Sequence, residues 1–68
     1  MNRYYVNKNA QANGDHEVHE SGCRYMPDPE NRQYLGEFAT CYNAVSKAKE
    51  YYPQSNGCYW CSIACHTQ

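Results

Sequence analysis

His19-Glu20-Ser21-Gly22-Cys23 and Cys58-Tyr59-Trp60-Cys61 decide how this chain is read. Each is a tight local pair, H-x3-C and C-x2-C, and a long stretch of sequence separates them. Together they offer one imidazole and three thiols. A divalent zinc ion takes four such ligands at tetrahedral angles, and two chelating pairs supply them with little chain distortion. Gly22 permits the sharp bend that turns Cys23 back towards His19. Gly57 plays the same part ahead of Cys58.

Working outward, size makes a staple necessary. The chain has 68 residues, which fits one domain near the lower limit for folding on a hydrophobic core alone. Its aliphatic stock is thin: Val6, Val18, Leu35, Val45 and Ile63, with Met26 as a filler. Tyrosines, Phe38 and Trp60 must supply much of the core, and each buried tyrosine hydroxyl needs a partner or water. Domains of this kind use disulfides, a metal or a partner.

The five cysteines, Cys23, Cys41, Cys58, Cys61 and Cys65, are an odd number and cannot all pair within one chain. Reducing surroundings favour thiolate ligands over bridges. Taken as a natural start, Met1 to Val6 lacks the apolar run of a secretory signal and predicts a cytoplasmic protein. Disulfides or plain buried thiols remain the competing account, which would suit an exported, disulfide-stabilised small protein. The net charge is −1, with the cations spread along the sequence, so a phosphate-backbone binder is weakly supported. No apolar run approaches a membrane span.

The flanking residues set the order of elements. Tyr4 to Asn7 reads as a strand, Asn13-Gly14 as a turn, and Glu17-Val18-His19 as a returning antiparallel strand. Pro27 and Pro29 mark a loop. Gln33 to Phe38 reads as a third strand, with Tyr34 and Phe38 on one face, Leu35 on the other, and Gly36 suited to a bulge. Thr40 is an N-cap type, and Cys41, Ala44, Val45, Ala48 and Tyr52 recur at helical spacing until Pro53 ends the run. Ser55-Asn56-Gly57 reads as the turn delivering Cys58, and Ser62 to Cys65 as a last helical turn. The expected fold is α+β, residues 1–68 forming a single small domain: an antiparallel sheet of about three strands, one helix and a C-terminal zinc knuckle.

This order resembles the metal-binding domain at the N-terminus of the Ada DNA-repair methyltransferase, and the shorter bacterial Ada-like zinc domains. The matching pieces are Tyr4 to Asn7, Val18-His19-x3-Cys23, Asn31 to Phe38, the helix after Thr40 with Ala44 and Ala48, and Cys58-x2-Cys61. The resemblance implies a metal site. It also implies that His19 stands where the repair domain carries its methyl-accepting cysteine, which removes the sulfur nucleophile. DNA binding without methyl acceptance is the family's alternative for function.

The expected ligands are therefore His19, Cys23, Cys58 and Cys61, holding a structural zinc. His16 competes as the nitrogen donor. Cys65, with His66 beside it, competes for the fourth position, its other reading being a frayed terminal thiol. Cys41, on the apolar stripe of the helix, reads as a small buried hydrophobe. Tyr59 and Trp60 are candidate contacts for a partner protein or a base, against the commoner role of shielding the metal. Three thiolates and an imidazole close the coordination sphere, and no paired carboxylates, phosphate loop or serine triad is readable. The expectation is a non-enzymatic structural or protein-interaction module.

Overall fold

A computed structural model describes residues 1–67. Its elements are β1 (Asn2–Asn7), β2 (His16–Glu20), β3 (Arg32–Phe38), α1 (Cys41–Ala48) and β4 (Ser55–Gly57), with 3-10 turns at Pro29–Asn31 and Ile63–Cys65. The fold is α+β, but the sheet has four strands in the order β3-β1-β2-β4. It is mixed: β1 runs antiparallel to β2 and β3, while β4 lies parallel to β2. Ser55-Asn56-Gly57 is thus a short strand, not only a turn. Its sequence has no strand character; the neighbouring backbone and a buried polar network hold it. Asp15, itself buried, accepts from Gln54 Nε2 at 2.8 Å and from Asn56 Nδ2 at 3.3 Å. Asn56 Oδ1 in turn accepts from the Thr67 amide at 3.1 Å.

One face of the sheet carries the core. Tyr4, Val6, Val18 and Leu35 are buried with Cys41, Ala44 and Ala48 of α1 and with Cys65; Phe38, Val45 and Tyr52 pack at the margin. The expected pairing of Tyr34 with Phe38 on one face does not occur. The β1–β3 register slips between Tyr4 and Tyr5, so that Tyr4 faces Gly36 while Tyr5 faces Tyr34. Gly36 adopts φ +125° at this bulge, and the extra residue inverts the alternation. Tyr34 therefore points outward, and Phe38 joins Tyr4 at 6.3 Å between ring centroids. The helix stops at Ala48 rather than running on to Tyr52, and Thr40 makes no side-chain cap bond.

The aromatic residues carry less of the core than their number suggests. Tyr4 is the fully buried tyrosine, whereas Tyr25, Tyr34, Tyr42, Tyr51, Tyr59 and Trp60 are exposed. Cross-links matter correspondingly more. Cys41 is bonded to Cys65 across a sequence separation of 24. This corrects both readings made from sequence, since Cys41 is half of a bridge and Cys65 is neither a metal ligand nor a frayed thiol. The link ties the start of α1 to the 3-10 turn that follows the C-x2-C pair. A closed loop of that length stabilises by about 3 kcal/mol through the entropy of the unfolded chain. The double change Cys41→Ser, Cys65→Ser should lower the free energy of urea unfolding by about that amount and leave the amide spectrum dispersed.

Candidate metal centre

Two faces of the sheet serve different purposes, and the register assigns His19 to the face away from the helix. Cross-strand partners share a face. Val6 opposes Val18 in the core, so Tyr5 and its partner His19 lie on the other side. On the far side of β2, Val18 is level with Gly57, which puts the next residue, Cys58, on the His19 face. The Cys58 amide donates to Val18 O at 2.9 Å, extending the ladder into the C-x2-C segment. Cys23 reaches the same place by a turn: Gly22 takes φ +92°, and the Cys23 amide closes on Glu20 O at 3.1 Å.

The result is a cluster. One donor atom from each of His19, Cys23, Cys58 and Cys61 lies within 4.8 Å of all the others, a set able to hold a metal ion. Sulfurs around a single tetrahedral ion with bonds of about 2.3 Å would stand about 3.8 Å apart; Cys23 Sγ and Cys58 Sγ are 4.0 Å apart and unbridged. Backbone amides point at the sulfurs as well. The Glu20 N–H donates to Cys61 Sγ at 3.2 Å, and the Trp60 N–H to Cys58 Sγ at 3.4 Å. Such donors stabilise thiolate charge and orient ligands from the second shell.

His19 supplies the test of fit. It is 1% exposed, and neither ring nitrogen has a hydrogen-bond partner. Buried polar atoms are nearly always satisfied, and leaving one unpaired costs about 1–3 kcal/mol. A cation bonded to one nitrogen removes most of that cost. The carboxylate of Glu17, two residues earlier on the same face, stands 3.6 Å from Nε2, close enough to serve as an outer partner of the imidazole. Burial holds the His19 pKa below its ordinary value, keeping the ring neutral as a ligand must be. Burial also raises Glu17, Cys58 and Cys61, the last to about 12. Without a cation, these thiols stay protonated.

The competing donors lie elsewhere. His16 stacks on Tyr52, with centroids 4.1 Å apart, and its Nδ1 contacts Asn7 O at 2.9 Å. His66 sits with Nδ1 3.0 Å from Gly57 O and its ring edge-on to Tyr59. Cys65 is spent in the bridge. Tyr59 and Trp60 do not shield the site by packing inward, being 51% and 66% exposed. From sequence Glu17 is close to the site but without a role; its i, i+2 spacing from His19 on a strand is the signal for a partner of the imidazole.

Gly57 is where the knuckle is least tolerant. A Cβ there would stand 2.7 Å from both Cys65 Cβ and Ser62 O, so the strand and the returning 3-10 turn fit only without a side chain. Comparison of the chain with protein families, with curated proteins and with solved structures finds no match.

Because metal uptake must displace protons from three thiols and keep an imidazole neutral, acid opposes it. Lowering the pH from about 7.5 to about 5, where protons compete for the thiolate sulfurs, should release cobalt(II) with loss of its thiolate charge-transfer band. An affinity that does not change with pH would contradict this donor set. A second expectation is that Gly57→Ala destabilises the metal-loaded protein by about 1–3 kcal/mol, the range for overpacking, in urea unfolding.

Proposed function

We propose that this chain is a non-enzymatic, zinc-stapled interaction module, with His19, Cys23, Cys58 and Cys61 as the zinc ligands. The observation that carries the reading is the buried imidazole with both nitrogens unpartnered, facing three free thiols. The donor set favours zinc because three sulfurs and one imidazole suit a borderline-soft ion in tetrahedral geometry. When bound, the ion supplies cohesion, since four protein ligands leave no position for water. The residues do the rest: Cys23 and His19 clamp the turn after β2, and Cys58 and Cys61 fasten the segment after β4.

The staple also fixes what the module presents. Tyr25 follows one chelate loop, and Tyr59 and Trp60 lie within the other. Trp60 is 5.5 Å from Tyr25 and 5.0 Å from Tyr59 between ring centroids, and the exposed Ile63 follows in the next turn. The Arg24 guanidinium sits 5.6 Å from the Tyr25 ring centroid. Trp, Tyr and Arg gathered around an apolar centre are the composition of protein-binding hot spots, so the partner is a protein that offers apolar side chains to this patch. The spread of cations along the sequence gives little to hold a phosphate backbone.

The Cys41–Cys65 bridge weighs against a reducing cytoplasm as the place of action. Occupation by zinc would also explain how three thiols so near each other stay unbridged beside that disulfide. The Ada-like reading rests on the order of motifs alone; with His19 in the first ligand position it extends to the metal site and not to methyl transfer.

Zinc binding of roughly 10–16 kcal/mol exceeds the few kcal/mol that so small a core provides. Purified without chelator, the protein should carry one zinc by elemental analysis. A strong chelator should collapse its amide NMR dispersion, and Cys23→Ser or Cys61→Ser should mimic that collapse. Dispersion that survives metal removal would show that the ion is not the staple. For the surface, Trp60→Ala should leave the zinc content unchanged and abolish partner capture. Binding of single- or double-stranded DNA with a steep salt dependence would instead favour a nucleic-acid role.

A further inference from the structure

On the same outer face, next to the proposed metal centre, β1 and β3 build a second feature. Tyr5 and Tyr34 are direct cross-strand partners, with ring centroids 5.3 Å apart and planes inclined at 50°. The inclined rings form the floor of a shallow concavity of about 410 Å³, whose rim is Arg3 and Glu37. Arg3 Nε lies 3.6 Å from a Glu37 carboxylate oxygen, and both side chains are more than half exposed. From the other end, the Arg32 guanidinium covers Tyr5 at 4.8 Å from the ring centroid. Arg32 is itself anchored by donating to Pro27 O at 3.1 Å. The floor is therefore fixed in place before any ligand arrives.

The geometry points to a binding site for a neutral saccharide, with a pyranose ring lying on the exposed Tyr34 against the side of Tyr5 and its hydroxyls bridged by Arg3 and Glu37. Each part of the trough matches one part of that ligand. The C–H face of a pyranose is apolar and flat enough to lie on an aromatic ring. Its vicinal hydroxyls are donors and acceptors at once, and the Arg3–Glu37 pair offers fork-shaped donors beside a carboxylate acceptor. An exposed ion pair of this kind is worth little in water, so exchanging it for hydroxyls costs little.

Charge decides against the other ligand that stacks on tyrosine. A single-stranded nucleic acid needs cations free to meet its phosphates. On this face Arg3 is neutralised by Glu37, and Arg32 is committed to Tyr5 and to a carbonyl. The Arg3–Glu37 rim is electrically balanced and Arg32 adds a single charge, too little for a phosphate backbone and compatible with an uncharged ligand. This inference is independent of the protein-binding patch at the knuckle, which involves none of these residues.

The test is NMR titration of the isotopically labelled, metal-loaded protein with millimolar cellotriose, maltotriose and chitotriose in separate experiments. At least one should shift the amide signals of Arg3, Tyr5, Tyr34 and Glu37 and leave those of Tyr25 and Trp60 in place. Tyr34 is exposed and outside the core, so Tyr34→Ala should keep the spectrum folded and weaken binding about tenfold, the loss of one aromatic contact. Glu37→Gln, which keeps the shape, should weaken it as well. Failure of all three sugars to move these signals overturns the proposal. So does a decathymidylate that moves them further than any sugar and loses its effect on raising salt to about 0.2 M, an outcome that assigns the face to nucleic acid.

Discussion

The burial of one imidazole is the constraint around which the candidate site is arranged. His19 is enclosed on a strand whose other face is already sealed by the core, and the register that buries Val6 against Val18 drives His19 to the opposite side. A ring placed there without partners would be a net cost. The three sulfurs gathered beside it make a set able to hold a metal ion, and an ion there would accept a ring lone pair and relieve that cost. Strand register, the turn at Gly22 and the segment after β4 bring those donors to His19 from different directions.

The covalent closure acts on the other side of the sheet. The His19/Cys23/Cys58/Cys61 cluster brings the end of β2 beside the segment after β4 on the outer face, while the Cys41–Cys65 bridge joins that same segment to α1 on the core side. Residues 57–65 are thus bonded on the core side, and an ion in the cluster would hold them on the outer side as well. Gly57 lies between the two, and its lack of a side chain is what lets Cys65 approach. A core of a few aliphatic side chains and one buried tyrosine would not hold β4, a three-residue strand, by packing alone. The buried Asp15–Gln54–Asn56 network and the Cys41–Cys65 bridge replace missing apolar area with directed bonds.

Much of this was legible in the sequence, and the omissions have definite causes. The strands around Val6 and Val18, the turn at Gly22 and the two donor pairs His19/Cys23 and Cys58/Cys61 follow from local spacing, which sequence records directly; that the pairs meet is inferred from the chemistry of their donors and is seen in the fold. β4 was not legible because Ser55-Asn56-Gly57 has turn chemistry; its strand geometry comes from pairing with β2 and from Asn56 as a hub of side-chain bonds. The face of Phe38 was misassigned because one bulged residue inverts everything beyond it, and Gly36 announces a bulge without fixing where the register slips. The Cys41–Cys65 bridge was hidden because an apolar helical position is what either a buried thiol or a half-cystine would occupy. Only their meeting in space distinguishes the two.

The outer face also explains why so many tyrosines stay in solvent. Across the sheet, His19, Tyr5 and Tyr34 form one row, each the direct partner of the next. The first is closed over by the thiols, and the other two are open. Tyr5 is therefore braced on three sides, by the strand that carries His19, by Tyr34 and by Arg32. An ion holding His19 would fasten β2 and so steady the strand against which β1 is paired; the tyrosine pair stands next to the cluster in that row. In a protein with so little core, rings set by cross-strand pairing and by Arg32 rather than buried in the interior are available for contact.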